Sequence, residues 1–126
     1  MLNPIKIAVD AMGGENSPKK IIKGIELHQK NTKDIFYNIF GDKKQIEPLI
    51  NNSSLSIKNY KIIHTDNLIK DSDSPLSAAK KGKDTSMWLS IQSLKNQESD
   101  AIVSAGNTGA LFVIAKLNLK MIENID

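Results

Sequence analysis

Two short stretches of the sequence have the residue types that suit handling of an anion. The first is Ser104-Ala105-Gly106-Asn107-Thr108-Gly109-Ala110. The apolar run Ala101 to Val103 before it reads as a buried strand, and Ala110 to Leu119 reads as a helix. Asn107 and Thr108 are both residue types that cap a helix N-terminus. Two glycines let backbone approach a ligand closely, because no Cβ stands in the way. The first turn of a helix offers unpartnered N–H groups and the positive end of the dipole, which together suit phosphate. A plain capping turn with no ligand has the same residues. The second stretch is Asp10-Ala11-Met12-Gly13-Gly14, which follows the strand-like Ile5 to Val9 and leads to Ser17-Pro18, read as an N-cap and a first helical proline.

Other candidates are more scattered. Asp10 is either a working carboxylate or a brace for its own glycine turn. Lys80, Lys81 and Lys83 form a basic cluster before a helix, to be read as a solvated loop or as a contact for phosphate or an acidic partner. Thr85 and Ser86 are either caps or donors to a ligand. His28 and His64 have no second ligand at metal spacing, so no metal is expected. His28 falls at the core edge of its helix. A general-base role for His64, with Asp66 two residues on, stays open. Ser104 is not in a G-x-S-x-G elbow, and no G-x-G-x-x-G or G-x-x-x-x-G-K-[ST] occurs, which argues against serine hydrolysis and the usual nucleotide sites.

Composition narrows the class. The chain has 126 residues, 40% of them hydrophobic and 25% charged, with no cysteine and a net charge of +3 carried entirely by lysine. Disulfides and thiolate chemistry are excluded. No basic stripe interleaves with aromatics, so nucleic acid is not an expected partner. No signal peptide is visible, and the longest apolar run, Ala110 to Ala115, is far short of the ~20 residues that span a bilayer. The expectation is a soluble, cytoplasmic protein.

The elements that position these residues alternate. Strands are expected at Ile5–Val9, Ile35–Phe40, Tyr60–His64 and Ala101–Val103. Helices are expected from Ser17 to Gln29, Lys43 to Ile50, Leu76 to Lys81, after a cap at Asp84 or Thr85 with Met87, Ile91 and Leu94 on one face, and from Ala110 to Leu119. Thr65 to Ser74 reads as a polar, irregular stretch. This alternation predicts an α/β protein with a parallel sheet covered on both faces, in which ligands sit beyond the carboxyl ends of the strands. Both glycine turns lie at such ends. One α/β domain over residues 1–126 is expected, and its stop soon after a helix, with no closing strand, reads as the front part of something longer.

The same residues resemble a known family. Ile7-Ala8-Val9-Asp10-Ala11-Met12-Gly13-Gly14 followed by Pro18, Gly41-Asp42, Lys83-Asp84-Thr85-Ser86-Met87 and Ser104 to Ala110 are similar, in order and spacing, to the signatures of the PlsX-type phosphate acyltransferases. The resemblance implies a three-layer parallel-sheet fold like that of isopropylmalate dehydrogenase and phosphotransacetylase. It also implies a reaction: inorganic phosphate attacks the thioester of an acyl-acyl carrier protein, giving acyl phosphate for phospholipid synthesis without a cofactor. A homodimer and peripheral membrane association are implied as well. On this reading Asp10, Lys83 and Asn107 are catalytic candidates. Gly13, Gly14, Ser86, Ser104, Gly106, Thr108 and Gly109 are substrate-binding candidates, and Lys80 and Lys81 would meet the carrier protein. Two departures matter: the family chain is more than twice as long, and it often has arginines where Lys80 and Lys81 stand. The competing expectations are a non-catalytic fragment that binds phosphate or a partner, and an architecturally related dehydrogenase, for which no nicotinamide site is found.

Overall fold

The computed structural model describes residues 3–55, 57–120 and 122. Four strands, β1 (Ile5–Asp10), β2 (Ile35–Gly41), β3 (Tyr60–His64) and β4 (Ala101–Ser104), alternate with five helices. The helices are α1 (Lys19–Asn31), α2 (Lys43–Asn51), α3 (Pro75–Lys80), α4 (Ser86–Lys95) and α5 (Thr108–Asn118). All strand pairs are parallel, and the sheet order is β3-β2-β1-β4. The chain therefore winds outward from β1 to β3, then returns to the opposite side of β1. The order reverses between β1 and β4, and that is the crevice where sheets of this kind take ligands.

Two cores sandwich the sheet, as the alternation of elements predicts. Strand side chains alternate between faces, so Val9, Tyr37 and Ile39 pack with Ile22 and Ile25 of α1 and Ile46 and Ile50 of α2. On the other face Met87, Trp88 and Ile91 of α4 pack with Ala110 and Ile114 of α5. Ile69, from the irregular stretch after β3, belongs to this second core at 4% exposure, so the stretch is anchored rather than merely solvated.

The α4 helix shows why it lies so close to the sheet. Its sequence places Ser86, Ser90 and Ser93 at helical spacing, and all three are buried. Small side chains permit close approach, and two of the hydroxyls are satisfied within the helix: Ser90 Oγ donates to the Ser86 carbonyl and Ser93 Oγ to the Ser90 carbonyl. Ser93 also reaches Ser99, which accepts from Asn38 Nδ2 on β2. The apolar face expected from Met87, Ile91 and Leu94 is thus joined by a polar seam.

Several boundaries differ from expectation. Ser17 does not cap α1. The Ser17–Pro18 peptide is cis, Pro18 occupies the cap position without a side-chain cap, and Ser17 Oγ donates back to the Gly13 carbonyl. Thr85, not Asp84, caps α4 by accepting from the Trp88 amide, and Asn107, not Thr108, caps α5. β1 and β4 each run one residue further than composition suggests, taking in Asp10 and Ser104. Among the described residues no helix is long and apolar enough to cross a membrane. The α5 helix is apolar over most of its surface, yet only Ala110 and Ile114 are buried while Phe112 and Leu117 are exposed.

One tie between α1 and the segment after α2 is electrostatic. Glu26 Oε2 accepts from the amide and hydroxyl of Ser54, and Oε1 pairs with Lys23. The Ser54 amide first, then the Lys23 ammonium, lower the Glu26 carboxyl from 4.5 to about 2. A carboxyl depressed in the folded state contributes stability above its unfolded value, and that contribution disappears as pH falls through the folded value. In urea unfolding, Glu26→Gln is expected to be less stable than the parent at pH 6. The gap should close as pH falls from about 4.5 toward about 2. A gap that stays constant over that window would show that the carboxylate charge does not hold this tie.

Candidate functional site at the sheet crevice

The register explains how the site is assembled. Asp10 and Ser104 are ladder partners at the carboxyl ends of neighbouring strands, so their side chains stand side by side on one face. Ser104 Oγ donates to Asp10 Oδ2 at 2.9 Å. Asp10 Oδ1 accepts from Ser86 Oγ at 2.7 Å and from the Met12 amide at 3.2 Å. The carboxylate is 2% exposed and is served by β1's own turn, by β4 and by the first residue of α4. Ser104 Oγ also accepts from the Gly106 amide at 3.2 Å. Asp10 therefore ties both glycine turns to the start of α4 through its hydrogen bonds.

The two turns touch backbone to backbone. A Cβ on Gly13 would lie 2.9 Å from both Cα and N of Gly106, and 2.8 Å from Asp10 Oδ2. A Cβ on Gly14, whose φ is +89°, would lie 2.7 Å from the Ala105 carbonyl oxygen. One on Gly109 would lie 2.8 Å from Pro75 Cγ. The missing Cβ atoms thus make room for other parts of the protein, whereas the sequence suggested room for a ligand. What remains for a ligand is the amides. Among the described residues no protein acceptor meets the N–H groups of Gly13, Gly14, Thr108 or Gly109, the last two being the first two positions of α5.

The structure brings Asp10, Gly13, Gly14, Ser86, Ser104 and Gly106 together where the two turns meet, and Asn107, Thr108 and Gly109 follow at the start of α5. Asn107 Oδ1 accepts from the Ala110 amide, and its Nδ2 faces carbonyls of the stretch after β3, so both ends of the side chain are engaged within the protein. The lysines are placed differently. Lys81 is paired with Asp73 at 2.6 Å, and Lys80 and Lys83 are exposed, with no ion pair to the crevice among the described residues. His64 lies away from it: Nδ1 accepts from the Lys43 amide and helps cap α2. His28 is exposed, with Nδ1 2.7 Å from the Tyr37 hydroxyl. No cluster of three or more metal-ligating side chains occurs among the described residues. The sequence reading missed the hydrogen-bonded group formed by Asp10, Ser86 and Ser104. The signal available for it was the three serines of α4 at helical spacing.

The contact between the turns has a measurable consequence. Gly13→Ala is expected to destabilise the fold by about 1–3 kcal/mol, because backbone must move to admit the methyl. Gly24→Ala, at an exposed position of α1 with nothing within 4 Å of the new Cβ, is expected to stabilise by about 0.5–1 kcal/mol. Urea unfolding of the two variants checks the contrast, and equal effects would show that the turns are not closely packed.

The family described as "Fatty acid synthesis protein" matches residues 5–126. Phosphate acyltransferase of Pelagibacter ubique is 64% identical over 122 residues, covering 97% of this chain and 36% of that protein. The phosphate acyltransferase of Enterococcus faecalis is 42% identical over 122 residues, covering 97% and 35%. That of Rhodospirillum rubrum is 38% identical over 126 residues, covering 100% and 36%. The chain thus spans about a third of the length of these relatives. With both signature turns meeting at the sheet's point of reversal and a family match across residues 5–126, the chain belongs to the fatty acid synthesis protein family, that of the PlsX-type phosphate acyltransferases.

Proposed function

We propose that this region forms the phosphate-binding crevice of an acyltransferase that moves an acyl group from a carrier-protein thioester to inorganic phosphate. The observation that carries the reading is the set of amides without a protein acceptor on two family signatures whose turns pack together: those of Gly13 and Gly14 in one turn, and those of Thr108 and Gly109 at the helix start that follows the other. Backbone N–H groups around a turn with a left-handed glycine, next to a helix N-terminus, suit an anion. A phosphate oxygen attacks the thioester carbon and forms a C–O bond. The C–S bond then breaks, and the thiolate leaves on the carrier and takes up a proton. The thiolate is already a good leaving group, so the protein's part is to position the two substrates and stabilise the negative charge that develops on the carbonyl oxygen.

Within that reading Asp10, Ser86 and Ser104 hold the crevice in shape, and Gly106 completes the packing. Lys83 is assigned to offset phosphate charge, and Lys80 and Lys81 to meet an acidic carrier protein. A homodimer in the longer protein and peripheral attachment to a membrane belong to the same proposal. A second reading is binding of phosphate or a partner by this chain without turnover.

The test mixes the chain with an acyl-acyl carrier protein and inorganic phosphate and follows free thiol with a thiol-reactive dye. The chain has no cysteine, so every new thiol comes from the carrier. Phosphate-dependent thiol release is the expected result for the first reading. Saturable phosphate binding without release selects the second, and neither signal overturns both.

A further inference from the structure

We propose that Asn107 is a positioning residue that straps the 66–74 stretch across the N-terminus of α5, making that stretch a fixed side wall of the crevice. The crevice's role as an anion site is taken from the function proposed above, while the strap itself stands on geometry.

The stretch leaves β3 with the Thr65 amide bonded to the Gly41 carbonyl at 3.0 Å. It passes the start of α4, where the Asn67 carbonyl accepts from the Ser86 amide at 3.0 Å. It then sinks Ile69 into the second core. Where it reaches α5, its backbone presents three carbonyls to one side chain: Asn107 Nδ2 lies 3.2 Å from that of Lys70, 3.4 Å from that of Asp71 and 2.6 Å from that of Asp73. The other end of the same amide, Oδ1, caps α5 through the Ala110 amide at 3.1 Å. Reversing the amide would set its oxygen against three carbonyls, so the network fixes its orientation.

This double task explains the residue type. Serine or aspartate would cap the helix as well. Neither offers an N–H₂ group to the carbonyls. The α5 side is prepared for the strap as well, since Gly109 has no Cβ where Pro75 packs. The far end of the stretch is held by Asp73, which accepts from the Lys70 amide at 2.8 Å and pairs with Lys81. Lys81 is therefore one of the groups that hold this wall.

The experiment compares the 126-residue parent with Asn107→Ser and Gly109→Ala by residue-resolved amide hydrogen exchange and by calorimetric titration with inorganic phosphate. Asn107→Ser keeps the cap and removes the strap. Gly109→Ala favours the helix and displaces Pro75. In both, exchange at Asn67, Lys70 and Asp73 should rise about tenfold, the size expected for a lost hydrogen bond. Amides past the first turn of α5 should keep their protection, and phosphate affinity should fall in step with loop exchange. Unchanged exchange in the stretch overturns the strap, and a loosened stretch with phosphate affinity intact overturns its role as a wall. If Asn107→Ser does not fold, Asn107→Asp, which also keeps the cap and lacks the N–H₂ group, carries the same comparison. A parent that does not bind phosphate defeats the anion reading, and the exchange data still decide the strap.

Discussion

The carboxylate of Asp10, at the carboxyl end of the central strand β1, accepts from the Met12 amide, from Ser86 at the start of α4 and from Ser104 at the end of β4. A buried carboxylate without such donors is costly, so each donor is held where the carboxylate needs it. The direction of the hydroxyl protons follows. Because Ser104 donates to Asp10, its lone pairs are left to accept from Gly106. Three elements distant in sequence are thus joined through one side chain, and the second glycine turn takes its path from the end of the first strand.

The close packing around this carboxylate depends on the absence of side-chain bulk. Gly13 and Gly106 meet through backbone, and Met87 lies 3.0 Å from where a Cβ on Gly106 would stand. Beneath them the serine stripe of α4 lets the helix sit low on β1, β2 and β4, with its hydroxyls bonded within the helix and to Ser99. Larger residues at these places would lift α4 from the sheet and pull Ser86 away from Asp10. The polar seam and the glycine contact are two sides of one fit.

Much of this fold is written locally. Alternation of apolar runs with capped helical stretches suffices to place the strands and helices, because those signals need only neighbours in sequence. The expected convergence of the two glycine turns follows from both standing at carboxyl ends of parallel strands. The purpose of the glycines is less legible. Gly109 makes room for Pro75, thirty-four positions earlier, and nothing near Gly109 in the sequence announces that. Asn107 likewise reads correctly as a cap, whereas its second arm depends on where the stretch after β3 travels. Ser17 has the residue type of a cap, but its hydroxyl closes the Gly13 turn and Pro18 takes the cap position of α1. Local chemistry identifies which groups are available, and tertiary contacts decide which of several uses each one takes.

The arrangement also bears on how an anion can be held beside a buried acid. In the proposed function Asp10 and a phosphate would repel one another, so the site would need an opposing field that does not move. Lysine ammonium groups sit on flexible stems: Lys81 is paired with Asp73, and Lys80 and Lys83 face solvent. Backbone dipoles meet the requirement better. The amides of Gly13 and Gly14 are fixed by contact with the opposite turn, and those of Thr108 and Gly109 by the capped start of α5, where the helix dipole adds positive potential. Dipoles already oriented need no reorganisation when charge develops nearby. On the proposed function, the carboxylate that would bring a negative charge close to the anion is also the group whose hydrogen bonds hold the two turns, and with them the compensating amides, in place.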